Sequence, residues 1–91
     1  MTEIEPLALG LRGFRVRELL IPILKKYSMP WEMIVGPRRY GHLISVRHEI
    51  FYVLRAEGYS YGKISIICKR DNSTIMHGVK RHKERELERY S

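Results

Sequence analysis

Between Arg70 and His82 the chain reads Arg-Asp-Asn-Ser-Thr-Ile-Met-His-Gly-Val-Lys-Arg-His. An acid, an amide and two hydroxyls are followed there by imidazoles and cations. Amides and hydroxyls hydrogen-bond the edges of nucleobases, and cations attract phosphates without reading sequence. Asp71 is a good helix N-cap, and its charge suits the positive end of the helix dipole. The spacing therefore predicts a helix from near residue 72 to about residue 88. At about 100° per residue, Ser73, His77, Lys80 and Glu84 share one face, with Thr74 and Arg81 beside it, while Ile75, Val79, His82 and Glu86 lie opposite.

A reading helix needs a platform. Ser60 can cap a helix covering Ile64, Ile66, Ile67 and Cys68, and a tight turn through Lys69 and Arg70 joins it to the helix beginning at Asn72. Two short helices so joined make a helix-turn-helix, which places the second helix in a major groove with its first residues at base edges. Asn72, Ser73 and Thr74 are then the readers: Asn pairs bidentately with adenine, and the hydroxyls serve several bases. His77, Lys80 and Arg81, further along, suit phosphates.

Upstream, Val16, Leu19, Leu20, Ile23, Leu24 and Tyr27 keep the spacing of a buried helix face from Phe14 to Tyr27. Pro22 interrupts it, so this helix is either kinked or begins closer to the proline. Pro30 starts a short piece, Trp31 to Val35, and Leu43, Val46, Ile50, Val53 and Leu54 mark a helix over residues 43 to 57. Between them runs Gly-Pro-Arg-Arg-Tyr-Gly, whose flanking glycines let Arg38 and Arg39 approach a groove closely. The fold expected is all-α, a small helical domain with a helix-turn-helix and a long C-terminal recognition helix.

With 91 residues there is one small domain, and 17 Lys plus Arg against 10 Asp plus Glu give a formal charge of +7, which favours a polyanionic partner. The single cysteine, Cys68, excludes an internal disulfide and fits a reducing compartment; set beside Ile66 and Ile67, it reads as core rather than nucleophile. No stretch approaches the ~18 apolar residues of a membrane span. Cys68, His77 and His82 lack the spacing of a zinc site.

Arg70-Asp71-Asn72-Ser73-Thr74-Ile75-Met76-His77 resembles the Arg-Asp-His-Thr-Thr-Val-Leu-His signature of the C-terminal DNA-binding domain of DnaA, the bacterial replication initiator. The similarity extends through Val46-Arg47-His48-Glu49 and Arg38-Arg39 back to Lys26-Tyr27, about two thirds of the chain. It implies a helical domain that recognises DnaA boxes in double-stranded DNA, with an arginine of the basic loop in the adjacent minor groove. Arg39 stands at that position, with Arg38 as helper. Asp71, Asn72, Ser73 and Thr74 match the base-reading signature. Arg47, Arg55, Arg70, His77 and Arg81 match positions near the DNA backbone. Asn72 stands for the usual histidine, Ser73 for threonine, and Cys68-Lys69 for a glycine-containing turn.

The domain expected spans residues 19–91, preceded by an N-terminal arm over residues 1–18, partly helical or flexible. In that arm Leu7, Leu9, Leu11 and Phe14 either pack on the domain or dock on a replication or transcription protein. No phosphate-cradling Gly-x-x-x-x-Gly-Lys-[Ser/Thr] loop is present, and Gly58-Tyr-Ser-Tyr-Gly-Lys is an interhelical turn. No paired carboxylates, triad or metal box points to an enzyme, and no cofactor is implied. The expectation is a cytoplasmic, nucleoid-associated regulator of replication or transcription. The alternative is a protein-interaction module with only non-specific DNA affinity.

Overall fold

The computed structural model describes residues 6–89. It contains a 3-10 turn, Pro6–Ala8, and five helices: α1 (Phe14–Lys26), α2 (Trp31–Val35), α3 (Gly41–Ala56), α4 (Tyr61–Cys68) and α5 (Asn72–Arg89). No strand occurs among the described residues. Helix α3 is the central element: its Leu43, Val46, Ile50, Phe51 and Leu54 are buried, and it packs against α5, α1, α2 and α4 in turn.

Helix α1 runs unbroken through Pro22. The proline lacks the N–H that would reach Glu18. Both residues are exposed, so water can take the missing donor's place. Buried Val16, Leu20, Ile23 and Leu24 hold the opposite side of the helix in the core. The packing against α3 outweighs the lost bond.

The boundary expected at residue 18 falls inside α1. Ahead of it, Ala8 is 0% exposed, Leu11 3% and Val16 6%, so the stretch from Pro6 belongs to the fold; the arm's residues 1–5, and residues 90–91, lie outside the described residues. Leu7 is half-buried, whereas Leu9 and Phe14 remain exposed.

The two caps form as the residue types predict. Ser60 Oγ accepts the Lys63 N–H at 3.1 Å, and Asp71 Oδ1 accepts the Thr74 N–H at 3.1 Å. Between them Lys69 closes α4 in the left-handed conformation, φ 56° and ψ 46°. Glycine favours this position, and lysine holds it against a steric cost of about 1 kcal/mol. Helix α5 lies close against α3 at Gly78. A Cβ there would lie 2.6 Å from Phe51 Cδ2 and 2.8 Å from His48 Cδ2.

Candidate nucleic-acid interface

The start of α5 is fixed by the Asp71 cap, and the Thr74 hydroxyl and N–H hold the Asp71 carboxyl below its usual range. With the Thr74 hydroxyl turned to this carboxylate, its methyl and remaining lone pairs are what the residue offers a partner. Asn72, Ser73, Thr74, His77, Lys80 and Arg81 are all exposed, while Ile75, Gly78 and Val79 are buried beneath them. The amphipathic split expected of this helix is present. Met76, 51% exposed on the same outward side, was not singled out in the sequence; it interrupts the apolar spacing, which was the available signal. Arg81 Nη1 also lies 3.4 Å from Glu84 Oε1, a solvent-screened pair of small energetic value.

Arg47 corrects an expectation. The resemblance sets it near a DNA backbone, but it is 5% exposed. Its Nε donates to Ile34 O, and its Nη2 to Met33 O and Gly36 O, each at 2.9 Å. These carbonyls end α2, where a helix leaves acceptors without partners, and a cation is favoured there by the dipole as well. Burial, and then the charges of Arg70 and Arg39, lower the Arg47 pKa.

Arg70 has a related role. Half-buried, it donates through Nη1 to Val35 O at 3.3 Å and through Nη2 to Gly36 O. Two guanidinium groups thus grip residues 33–36 from α3 and from the doorstep of α5. Exposed Arg38 and Arg39 follow immediately. The residue just ahead of the Asp71 cap is thereby tied to the backbone just ahead of the basic loop, although Gly36 and Arg70 stand 34 positions apart in the chain.

Arg55 sits elsewhere, at the α3–α4 turn, where Gly58 has φ +100°. Its guanidinium lies 4.6 Å from the Tyr61 ring centroid and donates to Tyr59 O at 3.1 Å. It remains exposed but is already engaged in bracing the turn. His77, outward on α5, meets His48 edge-on at 6.2 Å between ring centroids. His48 is 8% exposed and accepts a hydrogen bond at Nδ1 from Arg85 Nη1 at 3.1 Å. Burial, with Arg85, His77, Arg81 and His82 nearby, lowers its pKa to about 4. It is a neutral core imidazole at pH 7.

Cys68 is fully buried, and burial raises its pKa to about 12, which leaves the thiol protonated and inert. Among the described residues no cluster of three metal-ligating side chains occurs, and no helix is long and apolar enough to cross a membrane. Comparison with protein-family models, curated proteins and solved structures gave no match.

Proposed function

We propose that the chain binds double-stranded DNA, with α5 in a major groove and the Arg38-Arg39 loop in the minor groove beside it, at sites like DnaA boxes. The observation that supports this reading is the Arg70 bridge to Val35 and Gly36, which ties the backbone ahead of the basic loop to the residue before the capped start of α5. One rigid unit then offers an amide and hydroxyls for base edges and cations for phosphates and a narrow groove. Asp71, Asn72, Ser73 and Thr74 face the bases; Lys80, Arg81 and His77 lie along the backbone; Arg38 and Arg39 enter the minor groove. Site-specific duplex binding of this kind suits a regulator of replication or transcription acting at initiator sites in the nucleoid.

Fluorescence anisotropy at near-physiological salt tests the reading with a duplex carrying a DnaA box, a scrambled duplex and a single strand. A preference for the box of about a hundredfold or more is expected. Arg39→Ala and Thr74→Ala are expected to erode that preference. Lys80→Ala and Arg81→Ala are expected to weaken all duplexes alike and each reduce the salt slope by about one. Equal losses on both duplexes for all four variants would remove the base-reading assignment and leave a protein-interaction module with non-specific DNA affinity.

A further inference from the structure

Away from α5, the Leu9–Val16 segment, α2 and α4 enclose an open groove of about 840 Å³. Three of the large apolar side chains left exposed line it: Phe14 at 81%, Ile66 at 76% and Leu9 at 66%. No residue of α5 lines it, so it is distinct from the proposed reading face. Several exposed apolar groups around one concavity mark an interaction surface, whereas scattered ones would not.

The charge around these side chains is one-sided. Arg12, Arg15, Lys63 and Lys69 line the groove against one acid, Glu32. Arg15 meets Glu57 at 3.2 Å, and among the described residues Arg12, Lys63 and Lys69 meet no carboxylate. No sheet edge is available there to receive an extended strand, and the groove runs between helices, the setting in which an amphipathic helix docks. DNA would satisfy the cations but leave Phe14, Ile66 and Leu9 without apolar partners.

We propose that the groove defined by Leu9, Phe14 and Ile66, rimmed by Arg12, Lys63 and Lys69, receives an acidic amphipathic helix of a partner protein. Apolar residues of that helix at i, i+3 or i+4, and i+7 fill the groove, and its flanking Asp and Glu meet the cationic rim. This surface stands independently of DNA recognition and would allow the chain to hold a protein while bound to a duplex.

The test is selection from a random 16-residue peptide library displayed on phage against the immobilised full chain. Enriched peptides are expected to share the apolar spacing and to be rich in Asp and Glu. Their affinity is expected to fall about tenfold or more on the double variant Phe14→Ser with Ile66→Ser. Arg12→Glu with Lys63→Glu, which leaves the apolar floor intact, should slow association and remove its salt dependence. Thermal denaturation checks that the variants fold, and duplex affinity should stay within about twofold for Phe14→Ser with Ile66→Ser. The proposal is overturned by a basic or proline-rich consensus, by no consensus, or by peptides that bind both variants undiminished. A parallel loss of duplex binding would assign the groove to DNA. Capture by phosphatidylcholine–phosphatidylglycerol vesicles with no peptide consensus would assign it to an anionic lipid surface.

Discussion

Arg47 is where residue type and residue role part company. An arginine beside a basic loop reads as a phosphate contact, yet its planar fork satisfies three carbonyls at the end of α2. Arg47→Leu should cost about 3 kcal/mol or more in a urea denaturation, because buried acceptors lose their donors. Arg47→Lys should recover only part of this, since an ammonium cannot reproduce the fork. His48 makes a second prediction, in pH. Its pKa in the folded protein, about 4, lies below the ordinary 6.5, so the unfolded chain takes up the proton first as pH falls. The stability it contributes is intact above about pH 6.5, drains between pH 6.5 and 4, and is gone below; the full loss is about 3 kcal/mol. Urea midpoints across that range measure the slope, and His48→Gln should flatten it. The exposed placement of Asn72, Ser73 and Thr74 in the first turn of α5 was legible in the sequence because helix-start chemistry is local. The fates of Arg47, Arg55 and Arg70 were not, because each depends on carbonyls or rings from another element.

At the scale of elements, the helices expected from apolar spacing correspond closely to those observed, α2 (Trp31–Val35) among them, and both predicted caps form. Periodicity and capping are short-range properties and can be read along the chain. Pro22 was ambiguous for the converse reason: whether a helix tolerates a proline is decided by what holds its other face, here the core side of α1. Gly78 shows the same limit. Alanine favours an exposed helix interior by about 1 kcal/mol, but here its Cβ would press into Phe51 and His48. Gly78→Ala is therefore expected to destabilise by about 1–3 kcal/mol, seen as a lowered melting temperature. It should also shift α5 against α3 and weaken the proposed duplex binding beyond the loss of stability.

For the molecule as a whole, one apolar cluster runs from Ala8 to Val79 and recruits every described helix. Ala8, Leu11 and Val16 of the segment expected to be an arm belong to that cluster, which sequence could not show because Leu7, Leu9, Leu11 and Phe14 suit packing and docking equally. Removing residues 1–12 should therefore destabilise the fold by about 2–5 kcal/mol, through the loss of Ala8 and Leu11 from the core. Removing residues 1–5 alone would leave both in place, and chemical denaturation of the two truncations separates the cases. The same connectedness bears on the proposed duplex binding. Arg47 and Arg70 hold the N-terminal side of the basic loop from two directions, so on that reading the loop would reach a duplex with much of its ordering already done. Calorimetric titration over a range of temperatures should then give a heat-capacity change that follows from contact area alone, without the added increment of a segment that folds as it binds.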